Sequence, residues 1–229
     1  SAQYNFGSPL AGAKANWNLR RMRAWFEPKG FDGYTFTPYF LREDEYKEDG
    51  KLLLDSGGNL DDKGALSFSA RLPKVDFPVT VYAELDVQSP ARQNLFARTD
   101  VLVHPAAFYL GAKLVTDRVE LGDTVQADLV AVTPNGVRTS ATVTADIRKE
   151  QWFSVRKAGL AGRLEWVSEK RVTNLPSQTV QVASDGGRLS FKPTEAGNYF
   201  VTLTSKDSSG RTVLGGFNIM VYGQGQAYW

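Results

Sequence analysis

The side chains able to do chemistry are few and far apart in the chain. His104 is the one histidine and stands beside Pro105. A histidine base needs a nucleophile in partnership, and a structural zinc needs several ligands. No companion is spaced for either task, so His104 reads as a linker position. Asp55, Asp61 and Asp62 lie in DSGGNLDDKG. They offer the oxygens calcium takes, but calcium takes roughly six to eight of them and the spacing is not that of an EF-hand loop. The segment reads instead as a Gly-rich hairpin with solvated carboxylates. Glu43, Asp44, Glu45, Glu48 and Asp49 are interspersed with Lys and Arg, the pattern of a solvated face. Glycoside hydrolysis by paired carboxylates asks for two acids facing one bond, and nothing singles out a pair. No nucleophile elbow, phosphate loop or dinucleotide fingerprint occurs. We therefore assign no catalytic, cofactor-binding or metal residue and expect no cofactor.

Aromatic and basic residues concentrate in one place. WFSVRKAGLAGRLEW (152–166) reads as two strands joined around 158–162, flanked by Trp152, Phe153 and Trp166. Aromatic rings of this kind can form a platform for sugars, or they can cap the end of a sandwich; capping is the expectation here. A sugar platform would require Trp25, Trp152 and Trp166 to line up outside the core. The same stretch carries Arg148, Lys149, Arg156, Lys157, Arg163, Lys170 and Arg171. A basic, Gly-containing loop tip is also where a trypsin-like protease would cut.

The elements that must position these residues alternate with period two. Ala13, Ala15, Trp17 and Leu19 share one face of AKANWNL. Val79, Val81, Ala83, Leu85 and Val87 share one face of VTVYAELDV, and Val125, Ala127, Leu129 and Ala131 one face of TVQADLVAV. ATVTADI (141–147), NYFVTLTSKD (198–207) and GGFNIMVYG (215–223) repeat the pattern. Half-buried antiparallel strands read this way. Turn clusters separate them: GSPLAG, DSGGNLDDKG, TPNG, SDGG and DSSG. No stretch carries a convincing apolar helical stripe. LREDEYKEDGK (41–51) lacks one and reads as a solvated loop.

The chain also resembles itself. GALSF at 64 returns as GRLSF at 187, Val81-x-Ala83-x-Leu85 as Tyr199-x-Val201-x-Leu203, and the Pro9 turn as the Pro134 turn. Three matches in one order at similar offsets indicate two copies of one supersecondary unit. The expected division is therefore a first sandwich over 1–105 and a second over 106–229, joined at Pro105. By this alignment the first copy lacks the opening strand that AFYLGAKL supplies to the second. An unpaired edge is a liability, so the parent protein is expected to continue upstream.

Bulk composition agrees. A chain of 229 residues suits two domains. Lys and Arg total 27 against 25 Asp and Glu, without the basic excess of a nucleic-acid binder. The chain has no cysteine, which excludes a disulfide framework, a thiolate metal cluster and a thiol nucleophile within it. Such a chain suits the cytosol or a bacterial envelope. No apolar run approaches the ~20 residues that cross a bilayer as a helix.

Three stretches resemble a known family. AQYNFGSPLAGAKANWNLRR (2–21) resembles the strand–turn–strand of macroglobulin domains in bacterial α2-macroglobulins. TDVLVHPAAFYLGAKL (100–115) is similar to their junction between consecutive domains, and KPTEAGNYFVTLTSKDSSGR (192–211) to their late strand pair. The resemblance implies an all-β fold of two tandem immunoglobulin- or fibronectin-III-like antiparallel β-sandwiches within a long chain. It implies a scaffold, not an enzyme, in a protease inhibitor that traps endopeptidases after bait cleavage. The implied partners are neighbouring domains of the same chain and, through the whole protein, target proteases; nucleic acid is not among them. The implied location is the bacterial periplasm or envelope, with the whole protein lipid-anchored. The family's thioester needs a cysteine, so that motif is not in this chain. The competing expectation is a carbohydrate-binding or adhesive sandwich pair of a cell-surface protein.

Overall fold

Alternating sequences of this kind fold as strands because each pleat sends successive side chains to opposite faces. The computed structural model describes residues 1–5, 7–38, 49–72, 74–89, 92–158 and 164–223. Among them there is no α-helix, and none therefore long and apolar enough to cross a membrane. The all-β reading holds. The chain divides into two units: Ser1–Trp25 with Glu43–Pro105, and Phe26–Arg42 with Ala106–Trp229.

The first unit is built on β1 (Lys14–Arg23), β2 (Lys51–Asn59), β3 (Val79–Gln88) and β4 (Asn94–Val103), in the antiparallel order β2-β1-β3-β4. Trp17 stands opposite Leu85 and Leu19 opposite Ala83, so the apolar columns read from sequence share one face. Ala15, Trp17, Leu19, Val79, Val81 and Val87 are buried there. Their cover is irregular chain: Leu10 and Leu60 over one end, Leu66, Leu72, Val75 and Phe77 over the other. Gly64 (φ +69°) closes this layer; a Cβ there would lie 2.4 Å from the Ala2 carbonyl oxygen, a fit only glycine allows.

The second unit has two sheets. β9 (Ala141–Ala158), β10 (Leu164–Asn174), β13 (Gly197–Lys206), β14 (Thr212–Tyr222) and β6 (Val119–Glu120) run in the order β10-β9-β13-β14-β6, with β11 (Gln178–Val182) also on β9. Facing it, β5 (Tyr109–Leu114), β7 (Val125–Val132) and β12 (Gly187–Phe191) run β12-β7-β5, with β8 (Arg138–Thr139) on β7. Their inner faces close one core around Leu110, Leu129, Val143, Ile147, Leu189, Tyr199, Val201 and Leu203. This is the sandwich the periodicity implied.

Residues 26–38 depart from the continuous 1–105 and 106–229 division. They pack in the second unit, where Phe26, Phe31 and Phe36 bury Tyr109, Val130 and Val132. Phe26 stacks on Tyr109 with ring centroids 3.8 Å apart. Thr35 exchanges two backbone hydrogen bonds with Ala112, at 2.8 and 3.0 Å. The reason is that β5 and β7 are apolar on both faces. Their outer face needs a third layer, and each aromatic buried there is worth about 1.5–3 kcal/mol. Gly111 permits the contact, since a Cβ on it would sit 2.6 Å from the Phe36 ring.

Candidate interaction surface

β9 outruns its sheet. β13 pairs with it only over Thr144–Glu150, and from Gln151 outward its partner among the described residues is β10 alone. At about 3.3 Å per residue the stretch 151–158 forms a two-stranded arm about 25 Å long. Alternation places Trp152, Ser154 and Arg156 on one face with Lys170, Ser168 and Trp166 opposite them; Phe153 and Val155 fall on the other face with Glu169 and Val167 opposite.

Both tryptophans are two-thirds exposed, 67% for Trp152 and 66% for Trp166. Each ring carries a cation. The Arg156 guanidinium lies 4.6 Å from the Trp166 centroid and the Lys170 ammonium 5.8 Å from that of Trp152, within cation–π range. On the reverse face Phe153 and Val167 are also exposed, and Lys157 pairs with Glu169. The root of the arm is charged but enclosed. Buried Glu150 receives Arg148 Nε at 2.9 Å and Lys170 Nζ at 2.7 Å. Lys149 ends the inward column of β9, and its buried stem delivers the ammonium to Glu195. The hydrogen bond from Lys149, then its charge, hold the Glu195 carboxyl below the usual range.

The expected capping role of Trp152, Phe153 and Trp166 is thus corrected: all three lie outside the core, because β9 and β10 extend past the facing sheet. Trp25, the third member of the expected sugar platform, is in the first unit, half-exposed, with Arg23 over its ring at 5.6 Å. Trp17 is buried and stacks on Phe68 at 3.9 Å. The tip at 159–163, including Arg163, lies outside the described residues.

The other candidates separate. His104 follows β4 half-buried, and burial lowers its pKa. Asp61 accepts the Lys63 and Ala65 amides at 2.8 Å each, so it shapes a turn. Asp55 stands across from Asn18. It joins Asn16, Glu84, Asp86 and Phe96 around a groove of about 600 Å³ on the first sheet's outer face. Arg98 answers Glu84 there at 3.7 Å and stacks over Tyr82 at 3.8 Å. Among the described residues no three acids or histidines are grouped to hold a metal ion. Residues 43–48 lie outside the description, but Asp49 does not sit on a solvated face: it accepts the Arg23 amide at 2.8 Å and its Nε at 3.1 Å, tying down the end of β1.

Sequence reasoning placed Asp207 in the DSSG turn but missed its role. Its Oδ1 accepts the Ser209 and Arg211 amides, both at 2.9 Å; its Oδ2 accepts the Ala107 amide at 3.0 Å and Arg211 Nε at 2.7 Å. Its side chain has no exposed surface. Burial pushes its pKa up, but the hydrogen bonds from Ala107, Arg211 and Ser209 outweigh that and leave it below the usual value. The signal present in the sequence was Asp207 two residues before Ser209 and four before Arg211, the spacing of a side chain that closes its own turn.

No family model matches the chain. An "Alpha-2-macroglobulin homolog" of Nostoc sp. is 20% identical over the whole of this chain, which spans 12% of that protein. The chain resembles bacterial α2-macroglobulins. Escherichia coli α2-macroglobulin in its native conformation superposes with a TM-score of 0.58 at 16% identity, over 96% of this chain and 14% of its own. The E. coli α2-macroglobulin activated by porcine elastase gives 0.59 at 18% identity, over 98% of this chain and 20% of its own. A Salmonella α2-macroglobulin mutant gives 0.57 at 16% identity. At these identities the solved structures establish the shared macroglobulin-type β fold, and this chain covers a small part of each α2-macroglobulin.

Proposed function

We propose that this chain is a scaffold segment of a bacterial α2-macroglobulin-like endopeptidase inhibitor, acting by holding other segments in register and not by catalysis. The observation that carries the reading is a sequence and fold similarity running along almost the whole chain, through both units, to α2-macroglobulins. One of those relatives is activated by an elastase. Packed β units suit such a part, since packed sheets move as bodies when a distant bond is cut. The partners are then neighbouring domains of a longer chain and, through that chain, proteases; the place of action is the periplasm or cell envelope, with a lipid anchor on the whole protein.

The test uses the full parent protein treated with elastase. Protein hydrolysis is expected to be suppressed while a small peptide substrate is still cleaved, and Ile219→Asp in the parent is expected to abolish the suppression. This chain alone should inhibit nothing. Stoichiometric inhibition by the chain itself, or no effect of the parent on any endopeptidase, overturns the reading. Cell fractionation checks the location. A carbohydrate-binding or adhesive pair is the second reading, favoured by Trp152 and Trp166 sharing an exposed face.

A further inference from the structure

We propose that the β9–β10 arm docks into the headgroup layer of an anionic lipid bilayer. The proposal stands on the arm alone and does not depend on the scaffold reading.

Among the described residues the arm has no apolar layer of its own over either face. Trp152 and Trp166 face solvent on one side, and Phe153 and Val167 on the other. A two-stranded ribbon is marginal in water without cover. The cover it calls for must therefore touch both sides. A flat glycan or a single sandwich face would lie on one side and leave the other bare. The headgroup layer surrounds a narrow ribbon completely.

The chemistry of the side chains points the same way. Tryptophan, with an apolar body and an indole N–H, concentrates where hydrocarbon meets water. Trp166 carries Arg156, while the Lys170 ammonium over Trp152 is also held by Glu150. A side chain such as Arg156 lays its stem along apolar surface and turns the charge toward phosphate. Over 148–171 the sequence carries seven Lys and Arg against Glu150, Glu165 and Glu169. The arm is therefore basic within a chain that is nearly neutral, and it complements an anionic surface.

The experiment mixes the chain with vesicles of phosphatidylcholine alone and of phosphatidylcholine with phosphatidylglycerol, read by co-sedimentation and by quenching of tryptophan fluorescence with brominated lipid. Binding and quenching are expected on the anionic vesicles and to weaken with salt. Trp152→Ala with Trp166→Ala should lower affinity at least about tenfold, as expected when two interfacial anchors go. Arg156→Gln with Lys157→Gln should lower it about fivefold per charge lost near the surface. Trp25→Phe should leave it unchanged. Circular dichroism melting of each variant confirms the fold. Because quenching of the unaltered chain is read independently, a variant that misfolds does not rescue the idea. No binding to anionic vesicles, binding untouched by the tryptophan changes, or tryptophan-dependent retention on a soluble polysaccharide without lipid quenching overturns the proposal.

Discussion

The two units carry the same sheet under different cover. In the first the order is β2-β1-β3-β4; in the second β10-β9-β13-β14, with β11 continuing where β10 leaves β9. The registers correspond too: Trp17 faces Leu85 as Ala145 faces Leu203, and Val81 faces Val101 as Tyr199 faces Ile219. Yet Ile219 is 3% exposed, whereas Val101 is 55% and Leu95 44%. In the second unit a whole sheet lies over β14. In the first, irregular chain reaches over β1 and β3 and, among the described residues, leaves β4 bare. Strand pairing is dictated by local alternation, while burial is dictated by what arrives from elsewhere. The two copies also part at one spot. Past Arg23 the first sends its chain to the aromatic layer on β5 and β7. At the matching point β9 runs on as the free arm.

The largest expected break in this comparison comes from paired charges. Ile219→Asp buries an unpaired carboxylate and should cost about 3 kcal/mol or more, removing the second unit's cooperative urea transition followed by circular dichroism. Val101→Asp, at the matching register, should shift the midpoint little, because its side chain already meets water. Equal effects would mean the two covers are equivalent.

Next in size is the third layer. Phe36→Ala should cost about 3 kcal/mol and speed proteolysis within 26–38, with the second unit's transition moving and the first unit's staying. If the first moves instead, the segment belongs there.

Smaller, and pH-dependent, is the contrast between two equivalent turns. Ser89 Oγ accepts the Gln93 amide at 3.1 Å, whereas Asp207 closes the matching turn with a carboxylate. Asp207 and Glu195 both titrate below their ordinary values in the folded chain. Each stabilises fully above the unfolded carboxylate pKa of about 4, and the contribution is lost as pH falls from there through the depressed folded value. Asp207→Asn should therefore flatten the second unit's acid titration and leave the first unit's unchanged. The smallest effect is expected of the exposed arm: Trp152→Ala should move the melting midpoint by no more than about 0.5 kcal/mol equivalent.

Much of the alternation was legible beforehand. The columns at 13–19, 79–87 and 125–131 fall on the faces their alternation named. The duplication was legible as well, though GALSF and GRLSF repeat as letters and not as structure: Gly187–Phe191 is strand β12, while 64–68 is irregular. Gly187–Phe191 has β7 to pair with, and the first unit has no strand in that position among the described residues. The arm's tryptophans were found, but their exposure was misjudged, because the length of β13 and of the facing sheet decides where cover ends. The aromatic layer went unread, although LVAV at 129–132 and the cluster Phe26, Phe31, Tyr34 and Phe36 were its signs.

The amino-acid sequence by itself determined most of the strands, their inward faces and most of the turns, since these follow from short-range alternation and turn chemistry; β2 was the exception, because DSGGN at 55–59 has turn chemistry yet pairs with β1 as strand. Only the tertiary structure decided which apolar faces are covered, where residues 26–38 pack and that β9 and β10 stand clear of the core. Those outcomes depend on surfaces brought together from distant parts of the chain, and no local pattern records how far the opposing layer extends.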